Sequence, residues 1–253
     1  MNIIPLQLSV TTCYLLAHSD KYILVDTGYE ADWNLFCKQL KNVQVDFSQI
    51  SHILLTHHDD DHSGLLNRII TRNSTIQVVM SHQAKDLLAT GEDDRSHGKN
   101  LINKRLKLLW ALSLKRLKIL LSTGKYITKK NDGKFPPYYV RSKDLLITNE
   151  TRLKDIGIDL EGTIIETPGH TIDSITLILD DGNAFVGDAA ANMLQFAGTN
   201  YCVIALEDFD QYYQSWQKII DYNAQYIFPA HGSPFPVEKL QQNIGKNTSS
   251  TQL

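Results

Sequence analysis

Three imidazoles and three carboxylates fall within six consecutive residues, His57 to His62, inside the stretch Thr56-His-His-Asp-Asp-Asp-His-Ser-Gly64. Like carboxylates repel, and imidazoles desolvate poorly, unless a cation neutralises the group. A solvated acidic turn gains little from alternating His with Asp, so the stretch reads as a metal-binding loop. The apolar run Ile53-Leu54-Leu55 leads into it, and a helix-like segment from Gly64 to Ile70 leaves it. A buried strand therefore delivers a polar loop onto a helix N-terminus.

Three further polar residues follow strand signals: His170 in Thr167-Pro-Gly-His-Thr171, Asp188 in Val186-Gly-Asp-Ala189, and His231 in Pro229-Ala-His-Gly232. Loops gather at one end of a sheet, and Gly or Pro beside each residue shapes the turn. Singly these are weak signals. After the first loop they form a joint one.

The opening is strand-rich, over 3–8, 13–17 and 21–25, and ends at Asp26-Thr27-Gly28. A nucleotide-binding unit would place a helix between its first two strands. Helices are expected over 32–40, 82–89, 208–222 and 236–244, and further strands over 50–55, 75–80, 145–147, 163–166, 174–179, 184–186 and 226–228. With 253 residues and 42% hydrophobic content the chain can build one large core, and no linker or repeat divides it. It reads as one domain over 1–253, with an insertion at about 91–134 and a polar, frayed tail over 247–253.

That insertion has its own chemistry. Between Lys99 and Lys125 there are eight Lys or Arg residues and no Asp or Glu, with Ile102, Leu106, Trp110, Leu117 and Leu121 in a helical stripe. This is a cationic amphipathic helix or helix pair. Two readings stay open. It packs on the body as an ordinary helical insertion, or it serves as a lid or docking surface for an anionic substrate, a lipid headgroup or a second copy. The aromatics Phe135, Tyr138 and Tyr139 after it are expected to overhang the site.

The formal charge of −3 argues against a nucleic-acid partner. No stretch approaches the roughly 20 apolar residues of a membrane span, and the first residues lack a signal peptide pattern. Cys13, Cys37 and Cys202 are too widely spaced for a paired-cysteine metal site. A cytoplasmic location is the expectation.

The ordered set resembles the metallo-β-lactamase fold superfamily over Asp26 to His231. Asp26-Thr27-Gly28 is similar to that family's early Asp-Gly, His57–His62 to its His-x-His-x-Asp-His, and His170, Asp188 and His231 to its later ligands. The resemblance implies an α/β, four-layer αββα sandwich with two divalent metal ions. His57, Asp59 and His170 would hold the first, and Asp61, His62 and His231 the second. Asp188 would bridge them, and Asp26 would orient ligands from behind. It also implies a hydrolase in which a hydroxide between the metals attacks an ester-type bond while the catalytic Asp61 orients it.

Asp59 stands where the family has a second His, so a hard oxygen replaces a nitrogen. Zinc remains the first expectation, with manganese or iron favoured more than usual. An alternative is that His58 swings in and Asp59 does not bind. Flavodiiron-type oxidoreductases carry a carboxylate here too, with a flavodoxin domain that this chain lacks. An iron-dependent redox enzyme and a non-catalytic ligand sensor therefore remain as rival readings. Asp188 and the run Thr167 to Ser174 resemble glyoxalase II-like thioesterases, lactonases and phosphodiesterases more than true β-lactamases. The expected partner is a small ester, phosphodiester, lactone or thioester, and a homodimer through the 99–125 helices is a further open reading. Two departures stand out: Asp173 replaces the usual Gly, and the C-terminal helical region of glyoxalase II is missing.

Overall fold

The computed structural model describes residues 2–94, 100–108 and 133–247. Two six-stranded sheets lie face to face. The first runs in the order Ile3–Gln7, Thr12–His18, Lys21–Val25, Ile50–Leu54, Gln77–Ser81, Leu145–Ile147. Its first three strands pair antiparallel and the last three join in parallel, with Leu24 opposite Ile53 and Ile53 opposite Val78. Parallel strands are covered on both faces, and Ile50–Leu54 and Gln77–Ser81 are accordingly buried along nearly their whole length.

The second sheet runs Phe235–Pro236, Tyr226–Pro229, Asn183–Gly187, Ile175–Leu179, Gly162–Glu166, Thr151–Arg152. Asn183–Gly187 and Tyr226–Pro229 are parallel, and Gly162–Glu166 points the same way across the antiparallel Ile175–Leu179.

Three apolar clusters define the layers. Leu16, Ile23, Val25 and Leu54 of the first sheet meet Ile164, Leu177 and Phe185 of the second in the central one. Helices Trp33–Asn42, Leu66–Arg72 and Ala84–Thr90 cover the other face of the first sheet through Phe36, Leu40, Ile69 and Leu88. Helix Phe209–Asp221 covers the second sheet through Tyr212, Trp216 and Ile219. The order helix–sheet–sheet–helix is the αββα arrangement expected from the sequence.

Trp216 is fully buried, packs against Tyr212 and Tyr213, and donates its indole N–H to the Ala189 carbonyl one residue past Asp188. Trp216→Ala is expected to lower the unfolding free energy by about 3–5 kcal/mol, read from urea denaturation of the metal-free protein. A change below about 1 kcal/mol would mean that this helix does not carry the second sheet.

Most helix and strand expectations fall within a few residues of the observed bounds. The helix expected from Gly64 to Ile70 is Leu66–Arg72, and a single helical turn, Asp60–Ser63, already begins inside the His/Asp stretch. The closing helix shortens to Glu238–Gln241, because Phe235–Pro236 is taken into the sheet and the Asn243 amide bonds the Lys239 carbonyl. Asn247, expected to fray, is buried. Its amide donates to the Thr199 carbonyl, and its backbone N–H to the Tyr213 hydroxyl. Residues 248–253 lie outside the described residues.

The two ends of the insertion leave the body side by side. Phe135 N–H bonds the Gly91 carbonyl, Asp93 N–H bonds the Gly133 carbonyl, and Glu92 bridges Lys134. Ile102 and Leu106 of the stripe are buried in the helix-covered core of the second sheet. Trp110, Leu117, Leu121, the basic residues 115–125 and any dimer contact through them lie outside the described residues. The aromatics 135–139 require a correction. Phe135 and Tyr138 are core residues under the first sheet, and the Tyr138 hydroxyl donates to Asp144; only Tyr139 is exposed. Among the described residues no helix is long and apolar enough to cross a membrane.

Candidate metal centre

Each sheet delivers its polar loops from strand C-termini at one edge. Lys21–Val25 ends at Asp26, Ile50–Leu54 runs on to Thr56 and His57, Gly162–Glu166 to His170, Asn183–Gly187 to Asp188, and Tyr226–Pro229 to His231. Gly187 is left-handed, at φ +51°, and a Cβ there would lie 2.3 Å from the Thr56 hydroxyl, so glycine is required where the two sheets' loops meet.

The structure brings together all seven residues proposed as ligands. Three overlapping groups each place their ligand atoms within 4.8 Å of one another: His57, Asp59 and His170; His57, His62 and Asp188; Asp61, His62 and His231. His170 Nε2 is 3.2 Å from Asp59 Oδ2, and His231 Nε2 is 3.2 Å from Asp61 Oδ2. Asp188 faces both sets. Its Oδ2 is 3.4 Å from His170 Nε2, while its Oδ1 is 3.3 Å from His231 Nε2 and 3.4 Å from His62 Nε2.

These separations are long for hydrogen bonds. His57 Nε2, His62 Nε2 and Asp188 Oδ1 are buried and make none. Two donors each about 2.0–2.2 Å from a shared tetrahedral cation would lie about 3.3–3.6 Å apart, so the donor set and its spacing fit divalent metal.

The outward ring nitrogens explain why Nε2 faces inward in all four histidines. His62 Nδ1 is 2.8 Å from Asp26 Oδ2, His170 Nδ1 is 3.1 Å from the Ala205 carbonyl, and His231 Nδ1 is 3.2 Å from the Val10 carbonyl. Each partner only accepts, so Nδ1 carries a hydrogen and Nε2 is the nitrogen left to offer a lone pair to a metal. His57 Nδ1 meets the Thr56 hydroxyl at 3.1 Å, and that hydroxyl donates to Asp26, leaving its oxygen to accept. Asp26 thus sits behind the ligands as expected. It also accepts the Thr56 N–H at 2.8 Å and adopts a left-handed backbone, φ +58°.

Without metal the carboxylates and imidazoles neutralise one another. Burial would raise Asp61, but His62 and His231 outweigh it and hold it at about 2. Asp188, also buried, is held well below the usual carboxylate range by His231 and His62. Burial disfavours protonated His62, yet Asp61, Asp26 and Asp188 raise it well above the ordinary imidazole value, and Asp188 and Asp61 do the same for His231. Burial, together with the neighbouring His62, pushes His57 down.

Raised histidines keep protons that a metal must displace. Metal uptake near neutral pH is therefore expected to release protons and to weaken as pH falls. Calorimetry in buffers of different ionisation enthalpy counts them. Uptake with no buffer dependence would show that His62 and His231 are already neutral.

Alternation sets the facing of the stretch up to Asp61, and the turn Asp60–Ser63 brings the adjacent His62 to the cluster as well. Positions 57, 59 and 61 face the cluster, whereas 58 and 60 face the root of the insertion. His58 Nδ1 is 2.9 Å from Asp173 Oδ1 and its Nε2 accepts the Asp94 N–H at 2.9 Å, so His58 is turned away and Asp59 is the one grouped with His57 and His170. The Asp60 N–H bonds Asp93 Oδ1, and burial with Asp93 and Asp61 nearby pushes the Asp60 carboxyl up to about 7. The turn between the first two strands also contributes. Thr11 Oγ1 donates to Asp61 Oδ2 at 3.1 Å, beside the Val10 carbonyl that holds His231. Nothing in the local sequence marks Val10 or Thr11; Asp173 showed only as a departure from the family pattern.

The profile of the metallo-beta-lactamase superfamily matches residues 6–231. Curated relatives include a beta-lactamase-like protein 2 homolog of Caenorhabditis elegans, 29% identical over 95% of this chain and 62% of its own length. Another is the probable metallo-hydrolase YqjP of Bacillus subtilis, 25% identical over 87% of this chain and 66% of its own. The chain spans between about half and two thirds of the length of the curated relatives it matches. Among solved structures, a subclass B3 metallo-beta-lactamase of Bradyrhizobium japonicum superposes with a TM-score of 0.63 at 18% identity, covering 97% of this chain and 88% of that one. At that identity the likeness shows the fold.

Proposed function

The chain belongs to the metallo-beta-lactamase superfamily, and on that premise we propose that it is a metal-dependent hydrolase with a binuclear centre that cleaves an ester-type bond. The observation that carries this reading is Asp188, whose two oxygens face the two ligand sets separately. His57, Asp59 and His170 would hold one ion and Asp61, His62 and His231 the other, with Asp188 between them. Bound divalent ions would lower the pKa of water and polarise the scissile carbonyl or phosphoryl oxygen.

The chain's own groups do the rest. Asp61, ionised at neutral pH and held by Thr11, orients the attacking water and accepts a hydrogen bond from it. Asp26, Ala205 and Val10 keep the imidazoles in the tautomer that offers Nε2. All of the proposed ligand residues but the half-buried Asp61 are buried, which limits the access of bulk water to them.

Zinc is the first choice of metal, and Asp59 shifts the preference toward manganese or iron. Metal-depleted protein reloaded with each ion and assayed on phosphodiesters, lactones, thioesters and acyl esters tests the reading. Hydrolysis restored by zinc or manganese supports it. Oxygen consumption with iron and a reductant, without hydrolysis, would instead favour the redox reading that Asp59 keeps open.

The substrate is proposed to be anionic or amphiphilic, on the strength of the cationic insertion. Its described start is pinned to the body by the Asn103 amide on the Ala197 and Gly198 carbonyls, with the side chains of Lys104 and Lys107 exposed. The double variant K104E/K107E is expected to raise KM for an anionic ester and to leave KM for a neutral one in place. Equal effects on both would remove these lysines from recognition.

A further inference from the structure

His58 and Asp173 are both fully buried, and neither belongs to a ligand group. They join two loops that also meet through the Ile175 N–H on the Thr56 carbonyl and through His170 Nε2, 3.2 Å from Asp59 Oδ2. The loop from Thr167 to Ser174 closes on itself: Thr167 N–H bonds the Ser174 carbonyl, and the Thr171 and Ser174 hydroxyls lie 2.7 Å apart. His170 stands in that loop. Its tether to the ligand stretch is the Ile175 N–H on the Thr56 carbonyl, at 2.8 Å, together with the Asp173–His58 contact at 2.9 Å.

The state of His58 follows from its partners. Asp94 N–H donates to Nε2, so Nε2 is an acceptor and the ring hydrogen sits on Nδ1, where it donates to Asp173 Oδ1. The ring bridges three segments: the ligand stretch, the His170 loop and the root of the insertion. The Ser63 hydroxyl on the His58 carbonyl fixes the backbone beneath it. Burial would raise Asp173, but His58 beside it holds it low, in keeping with a carboxylate that accepts.

We propose that His58 and Asp173 are positioning residues that hold His170 in register with His57 and Asp59, so that this trio binds its metal as a preformed site. The inference rests on the metal-centre reading above. It assigns a purpose to two features that the chemistry leaves unused: the doubled histidine at 57–58, and an aspartate where the family pattern has glycine. Outer partners of metal ligands commonly change affinity by about 10–100-fold when lost.

Asparagine and glutamine separate the two bonds of His58. In His58→Asn the amide nitrogen takes the place of Nδ1 and keeps the Asp173 bond. In His58→Gln the amide oxygen takes the place of Nε2, keeping the Asp94 contact and losing Asp173. Stepwise zinc titration against a chromophoric chelator resolves two binding steps in the wild type. His170→Ala and His231→Ala identify which step belongs to which trio.

In His58→Gln, the step lost in His170→Ala is expected to weaken by about 10–100-fold, with the other step within about threefold. His58→Asn is expected to retain both steps. Should His58→Gln fail to fold, Asp173→Leu removes the same acceptor at similar volume and is expected to weaken the same step. Two unchanged steps in His58→Gln would overturn the proposal. So would equal weakening of both steps in His58→Gln and His58→Asn, which would mark the pair as general structural support. Wild-type protein that binds no zinc would instead remove the metal-centre reading, and this inference with it.

Discussion

Asp188→Ala is expected to fold and to lose at least about 1,000-fold in kcat/KM, the upper end for removing one electrostatic group from a catalytic centre. Among the described residues, only Asp188 has an oxygen toward each ligand set, so its loss uncouples the two sets instead of weakening one. The fold does not depend on the side chain. Tyr212 bonds the Asp188 backbone carbonyl, and Trp216 bonds the Ala189 carbonyl, both of which alanine keeps. Metal retention should fall together with activity, and added metal should not restore turnover. A variant that kept wild-type activity on a substrate hydrolysed by the parent would show that the reaction takes place elsewhere.

Asp26→Asn should act differently, through affinity. With the new amide oxygen kept on the Thr56 N–H, the amide nitrogen lands where Asp26 Oδ2 met His62 Nδ1. It would donate to that nitrogen and force the hydrogen onto Nε2, the atom that faces the cluster. Asparagine tolerates the left-handed backbone at φ +58°, so backbone strain is not the cause. Metal affinity of the trio containing His62 is expected to fall about 100-fold, the upper end for losing an orienting partner. Unlike Asp188→Ala, activity should recover in excess metal. Competition with a chelator measures the constant, and an unchanged constant would show that Asp26 serves only the Thr56 turn.

Of the clustered residues, His170, Asp188 and His231 were legible because each follows an apolar strand and sits beside Gly, and the 57–62 stretch by its density of imidazoles and carboxylates. Parallel strands turn that sequence habit into geometry, gathering Asp26, His57, His170, Asp188 and His231 at one edge. Alternation at 57, 59 and 61 likewise forecast which carboxylates point inward. Periodicity marked the individual strands and helices, and the family resemblance implied the four layers into which they pack.

What escaped was non-local. The Ala205 and Val10 carbonyls that fix His170 and His231 are backbone atoms, and no residue type announces them. Thr11 reaches Asp61 across fifty positions. Phe135 and Tyr138 read as site aromatics because they follow the insertion. Burial won because the Tyr138 hydroxyl finds Asp144, whose carboxylate also takes Arg141. His58 and Asp59 were two candidates for one position facing the cluster, and the contacts of His58 with the buried Asp173 and with the Asp94 N–H turn it away.

The most direct test of the metal centre is elemental analysis of protein purified without added metal and without oxygen. About two zinc, manganese or iron ions per chain are expected, falling in Asp188→Ala. Protein that carries no metal, and takes up none on titration near neutral pH, would contradict the centre and the hydrolase built on it.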